Sequence, residues 1–191
     1  YLESRSINHI YLGAGSCPML LGVVMPYSNE RCGEQLEYFY QHTLTAFIRD
    51  YDQLGFILVH SAAYISTIGE AEYRDSLQSS IDRIHSSANR RDLPLAVHDP
   101  TRRPIIELTM CLPRRLLSRA TCQVDYRAEQ LTQKEIFNEL GLVRLKPVDI
   151  PMSDKLLEYK DDLHLTTMGV EKIYGNSIDA WLRSIGLLVI D

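Results

Sequence analysis

The sequence predicts an α/β fold, a three-layer α/β/α sandwich around a parallel sheet, and three observations support this. Short strand-like runs alternate with helix-like segments along the chain, the order that right-handed crossovers between parallel strands produce. The run at 55–60 is continuously apolar, which is typical of a strand buried on both faces. With 191 residues, 45% of them hydrophobic, the chain is long enough for one domain, residues 1–191, with its own core.

The predicted elements follow one another without a repeat or a flexible linker. In three of the four predicted helices, apolar residues recur at helical spacings, as Leu77, Ile81 and Ile84 do. Gly141 is a typical helix end, and Pro147 breaks the strand that follows. Strands are predicted at 7–12, 55–60, 93–97 and 143–148, and helices at 34–49, 73–91, 126–140 and 167–182.

Open sheets of this kind bind ligands beyond the carboxyl ends of their strands. That rule directs attention to four connections in this chain. They are residues 13–18, 60–64, 98–104 and 150–164.

Composition and motifs exclude several classes of function. The 20 basic residues against 25 acidic ones give a net charge of -5, so no nucleic-acid partner is predicted. The longest apolar runs fall far short of the roughly 20 residues of a membrane-spanning helix. H-E-x-x-H, P-loop and G-x-G-x-x-G motifs are missing. We therefore predict neither a metal nor a cofactor.

The four cysteines predict the redox environment. Cys17, Cys32, Cys111 and Cys122 include no C-x-x-C pair, which argues against structural zinc. They form two local pairs, and of the three possible connectivities this favours 17–32 with 111–122. Four reduced thiols in a cytosolic protein are the alternative. We predict disulfides and an oxidising compartment.

Arginines crowd one segment of the chain. Between residues 102 and 119 the only acidic residue is Glu107. One interpretation is a solvated loop with scattered ion pairs. The other is an arginine-lined mouth for an anionic glycan or carboxylate, because the guanidinium group matches planar oxyanions. The arginines concerned are Arg102, Arg103, Arg114, Arg115 and Arg119.

The strongest catalytic candidate is an Asp-x-x-His sequence at the start of the last predicted helix. Asp161 stands three residues before His164 and can reach its Nδ1 atom, so that it orients the ring while Nε2 accepts a proton. The neighbouring Asp162 is an alternative orienting residue. A histidine after the last strand is where a hydrolase of this fold class carries its general base.

Several segments together resemble a known family. The Asp-x-x-His-Leu segment is similar to the last block of SGNH (GDSL-type) hydrolases, in which it supplies two members of a serine triad. The closest resemblance is to the extracytoplasmic SGNH domain fused to integral-membrane acyltransferases that O-acetylate cell-surface glycans. The other segments on which this resemblance rests are Gly15-Ser16-Cys17-Pro18-Met19-Leu20 with Cys32, and Cys111-Leu112-Pro113-Arg114-Arg115 with Cys122.

The chain departs from this family at two blocks. The family's Gly-Asp-Ser motif, which carries the nucleophile, is missing, and Ser4, Ser6 and Ser16 lack the glycine-bounded elbow that exposes a serine. We expect that the first strand and its serine precede this chain, which would then be an amino-terminally truncated domain. The Gly-x-Asn-Asp block is also missing, and residues 60–64 stand in its place.

The remaining site residues are assigned to substrate binding. Backbone N–H groups of Gly15 and Ser16 are candidates for part of an oxyanion hole, with a tight turn before a disulfide as the alternative. His60 ends a predicted strand, where it either approaches the substrate or has a structural role. Arg114 and Arg115 are the candidate contacts for an anionic acceptor.

The resemblance implies an O-acyltransferase or esterase acting on acetyl groups of surface carbohydrate. His164 would be the general base and later general acid. An upstream membrane domain would deliver the acyl donor, and the domain would be periplasmic or otherwise extracytoplasmic, tethered through the rest of its parent protein. Transferase and hydrolase stay equally open. The alternatives are a non-catalytic glycan-binding or interaction domain of the same fold and a cytoplasmic flavodoxin-like module.

Overall fold

The computed structural model describes the helical and strand framework of the chain. The described residues are 2–3, 7–9, 18, 20–23, 31–87, 93–105, 123–150, 157–160 and 164–188. The helices are α1 Cys32–Tyr38, a π-helical segment Phe39–Thr43, α2 Leu44–Asp50, α3 Ala63–Ile68, α4 Glu70–Ser87, α5 Ala128–Glu139 and α6 Thr167–Ser184. The strands are β1 Phe56–Leu58, β2 Leu95–His98, β3 Arg103–Pro104, β4 Val124–Asp125 and β5 Arg144–Leu145.

A parallel sheet lies at the centre of the fold. Its strands run in the order β1-β2-β5, and both pairings are parallel. Phe56 is paired with Leu95, and Val97 with Arg144. The prediction of a mixed α/β fold with a parallel sheet is confirmed.

The two faces of this sheet pack against different helices. Side chains alternate across a strand, so Leu58 and Val97 join the apolar cluster of α3, α4 and α5. Ala96 and Leu145 point the other way and pack with Ile173 and other residues of α6. A third cluster joins α1, α2 and α4 near the start of β1. Apolar burial on both faces holds the carboxyl ends of the strands in a fixed position.

The strands are shorter than the sequence predicts. β5 contains two residues where 143–148 were expected, because Pro147 has no N–H for the ladder. The amide of Lys146 instead donates to Ser177 Oγ at 2.9 Å, and that of Val148 to the carbonyl of Ile173 at 2.9 Å. β1 is half-buried throughout, which corrects the expectation of a strand buried on both faces: in the described sheet it has a neighbour on one side.

The other boundaries differ less from the predictions. Helix α4 begins at Glu70, three residues early, and α6 continues to Ser184. Residues 7–9 are in neither a helix nor a strand, and the rest of the predicted first strand lies outside the described residues. In the part of the chain that the structure describes, no helix has the length and apolarity to cross a bilayer.

A short antiparallel ribbon was not predicted. Arg103 pairs with Asp125, and Pro104 with Val124. The ribbon joins the segment after β2 to the segment before α5. Arg114 and Arg115 fall between its two strands in the sequence and lie outside the described residues.

Candidate functional site

His164 lies on a hydrogen-bonded turn directly before α6, and its side chain is exposed. Tyr159 and Leu165 form an antiparallel bridge, and the amide of Lys160 donates to the carbonyl of His164 at 2.8 Å. The amide of Thr166 donates to the carbonyl of Glu158 at 2.8 Å. These bonds close a narrow loop with His164 near its end.

The turn is anchored to the first residues of α6. Thr166 is the N-cap residue, and its hydroxyl oxygen accepts a hydrogen bond from the amide of Gly169 at 3.1 Å. Gly169 is also required by a close approach: a Cβ there would lie 2.1 Å from the carbonyl oxygen of Glu158. Lys172 donates to the buried carboxylate of Glu158 at 2.6 Å. The base of the His164 turn is therefore held against α6 by a close backbone approach, by the N-cap hydrogen bond and by an ion pair.

A second anchor connects the turn with the carboxyl end of the sheet. The hydroxyl of Tyr159 donates to the carbonyl of Arg102 at 2.6 Å, and Arg102 follows the end of β2 by four residues. Burial, the largest influence, raises the pKa of Tyr159 above its ordinary value. The His164 turn therefore lies at the carboxyl end of the parallel strands, where ligands of such sheets bind.

A shallow depression lies at the same end of the sheet. It is lined by Thr101, Arg102, Tyr126 and the segment 147–150, and it opens to solvent. Gln130 holds its wall together: the side-chain amide donates to the carbonyl of Thr101 at 2.7 Å and the side-chain oxygen accepts from the amide of Arg127 at 2.9 Å. The depression joins the connections after β2 and after β5.

A buried charge pair lies beneath this end of the sheet. The guanidinium group of Arg144 in β5 makes a two-point contact with the carboxylate of Asp99, with Nε donating to Oδ1 at 2.7 Å. Asp99 is 1% exposed and the Arg144 side chain 8%. Next to it, burial lowers the pKa of His98 to about 4, and its ring packs 4.2 Å from that of Tyr174. A histidine with so low a pKa is a poor general base at neutral pH.

His60 follows β1 and faces the helices α4 and α5. Its ring lies 6.5 Å from the ring of Tyr73 at nearly a right angle. Gln133 donates to the carbonyl of His60 at 3.3 Å and to the hydroxyl of Tyr73 at 2.7 Å. These contacts belong to the face of the sheet opposite α6, whereas His164 belongs to the turn that α6 anchors. The role of His60 in substrate binding stays a prediction.

Most of the other predicted site residues lie outside the described part of the chain. They are Gly15, Ser16, Cys17, Cys111, Arg114, Arg115, Cys122, Asp161 and Asp162. Cys32 at the start of α1 is disulfide-bonded, and all three other cysteines lie outside the described residues, so the pairing stays a prediction. Among the residues that the structure does describe, no group of three or more His, Cys, Asp or Glu could hold a metal ion.

Sequence reasoning missed the anchors of the turn and one wall of the depression. A threonine before a helical run is a recognisable N-cap signal, and it marks Thr166. No local signal identifies Glu158, Tyr126 or Asp149, because their partners lie far away in the sequence. No protein-family model matches the chain, and comparison with curated proteins and with solved structures finds no match either.

Proposed function

We propose that this chain is an SGNH-type domain that transfers or removes an acetyl group on a surface carbohydrate, with His164 as its general base. The observation that carries the proposal is the placement of His164. It is an exposed imidazole on a turn anchored to α6 and to Arg102, at the carboxyl end of a parallel sheet. An exposed histidine held at that edge can exchange protons with a bound substrate.

The proposed reaction has two half-steps. A serine that precedes this chain attacks the acyl carbonyl of the donor, and Nε2 of His164 accepts the hydroxyl proton. The bond between the acyl carbon and the donor oxygen then breaks, and His164 returns the proton to that oxygen. In the second step a sugar hydroxyl, or water, gives its proton to His164 and takes the acyl group from the serine, and His164 returns that proton to the serine oxygen. Asp161, or Asp162 in its place, orients the imidazole.

The proposal extends to the layer arrangement of the domain and to its cellular compartment. Two apolar clusters on opposite faces of one parallel sheet support a three-layer α/β/α arrangement. The strand order β1-β2-β5 agrees with the 3-4-5 half of a flavodoxin-like sheet. The disulfide at Cys32 supports an oxidising, extracytoplasmic compartment. There an upstream membrane domain would deliver the acyl donor.

The test is the esterase activity of the chain joined to the residues that precede it in its parent protein. We expect the joined protein to hydrolyse p-nitrophenyl acetate and His164→Ala to lower kcat/KM by about 10³-fold or more, because triad members act as a unit. The matched control is His42→Ala, which removes an exposed histidine of the π-helical segment. Full activity of the His164→Ala protein, with an unchanged melting curve, would contradict the proposal.

The second candidate is a glycan-binding domain without catalysis. It is favoured by the missing Gly-Asp-Ser and Gly-x-Asn-Asp blocks together with the depression beside Arg102. Carbohydrate binding by the joined protein without any acetyl hydrolysis is the result that would select it.

A further inference from the structure

We infer that the exposed Arg102–Asp149 ion pair marks a subsite for the carboxylate of an acidic sugar, in which Asp149 is a displaceable occupant. The two residues form one side of the depression at the carboxyl end of β2 and β5. Arg102 Nη2 lies 2.9 Å from Asp149 Oδ1. The carboxylate of Asp149 therefore stands where that of a ligand would bind.

The two partners of this pair are held very differently. Arg102 is fixed at its carbonyl by the hydroxyl of Tyr159, at 2.6 Å, and its guanidinium carbon lies 5.6 Å from the centre of the Tyr126 ring. Its side chain is 36% exposed, whereas that of Asp149 is 77% exposed. An exposed pair is only weakly favourable. A ligand carboxylate can therefore replace Asp149 while Arg102 keeps its position.

The rest of the depression is shallow and open to solvent, so it would contact one side of a ligand without enclosing it. The Tyr126 ring packs against two cations: the guanidinium carbon of Arg102 lies 5.6 Å and Lys134 Nζ 4.1 Å from its centre. Lys134 therefore adds a second positive charge near the subsite. The site thus combines an aromatic ring, two cations and one replaceable carboxylate.

The identity of the ligand as the acetyl acceptor rests on the proposed function, but binding itself does not. Arg102 is tied to Tyr159, which forms the bridge next to His164. An acidic sugar bound at Arg102 would therefore lie at the end of the sheet to which the His164 turn is anchored.

Titration with two matched probes tests the subsite. Methyl glucuronide and methyl glucoside differ at one carbon, which bears a carboxylate or a hydroxymethyl group. We expect amide shifts in NMR spectra of the chain to report tighter binding of the glucuronide. The difference is up to about fivefold, the range of an exposed charge pair. Shifts should be largest around Thr101, Arg102 and Asp149.

Two variants separate the roles of the pair. Arg102→Gln is expected to remove the preference for glucuronide. Asp149→Asn is expected to strengthen glucuronide binding by up to about fivefold, because the competing carboxylate is gone. Arg49→Gln and Asp50→Asn are the matched controls, since this pair on α2 is also exposed, with 2.7 Å between its charged atoms. The control variants should bind both probes as the unaltered chain does.

Three results would overturn the inference: no binding of glucuronide, equal binding of both probes, or weaker glucuronide binding by Asp149→Asn with an unchanged melting curve. The last result would mean that Asp149 contacts the sugar and is not displaced by it. If His164→Ala leaves esterase activity intact while Arg102-dependent glucuronide binding persists, the acyl-transfer proposal fails and the subsite stands.

Discussion

Two arginine–aspartate pairs lie at the same end of the sheet and differ in almost every physical respect. Asp99 and Arg144 are 1% and 8% exposed and make a two-point contact. Arg102 and Asp149 are 36% and 77% exposed and share a contact of 2.9 Å. Both pairs join a residue at or after the end of β2 to one in or after β5.

The difference between the pairs is one of solvation. In the buried pair each charge has lost its water, so neither can be removed without leaving the other uncompensated. In the exposed pair water can replace either partner, and so can a ligand. We therefore assign the inner pair to the framework and propose that the outer pair belongs to a ligand-binding rim. The following predictions test this division, beginning with the largest effect.

The largest expected effect is on the buried pair. Asp99→Asn removes the charge with little change of shape and leaves Arg144 buried without compensation. We expect the free energy of unfolding to fall by about 3–5 kcal/mol. The matched change Asp149→Asn in the exposed pair should lower it by no more than about 1 kcal/mol. Urea denaturation of both variants measures the difference, and equal losses would contradict the division into framework and rim.

The next largest effect is the pH dependence of the free energy of unfolding that results from the burial of His98. Its pKa is about 4 in the folded protein, mainly because of burial, and about 6.5 in an unfolded chain. Between these values the unfolded state binds more protons than the folded state. The contribution of His98 to the free energy of unfolding is therefore fully present above about pH 6.5 and is lost as the pH falls towards 4. The loss amounts to roughly 3 kcal/mol, at 1.36 kcal/mol per pKa unit.

Urea denaturation across this pH window, for the unaltered chain and for His98→Gln, measures the contribution of His98. The unaltered chain should lose more stability on acidification, whatever the variant's own stability at neutral pH. Parallel curves for the two proteins would show that burial of His98 is not linked to folding.

The smallest effect concerns the connection between framework and rim. In Gly169→Ala the new Cβ would meet the Glu158 carbonyl at 2.1 Å, so the turn that carries His164 must shift. We expect a loss of about 1–3 kcal/mol in the free energy of unfolding. Gly33→Ala is the control, because nothing lies within 4 Å of a Cβ at that position in α1. It should be neutral or stabilising, and thermal unfolding compares the two.

Sequence patterns predicted the helices of the fold better than its strands. The predicted closing helix, 167–182, differs from α6 by two residues at one end, because an N-cap and an apolar stripe are local signals. Strand lengths depend on which backbone groups find a partner across the sheet. Tertiary contacts therefore shortened β5, and no pattern within 103–104 or 124–125 indicated the ribbon.

The candidate site was predictable in part. The Asp-x-x-His sequence and its position before the last helix singled out His164 without any structure. The depression was not predictable, because Arg102 and Asp149 are 47 positions apart in the sequence and meet only where β2 and β5 end side by side. Tyr126 comes to the same place through the ribbon of β3 and β4.

The sequence by itself determined the order of the longer helices and of the three strands of the parallel sheet, and the position of His164 at the start of a helix. These features depend on hydrophobic periodicity and helix caps, which act over a few neighbouring residues. Only the tertiary structure decided which arginine–aspartate pair is buried and which is exposed. Both pairs contain the same two residue types, and solvation, which separates them, is a property of everything packed around a charge.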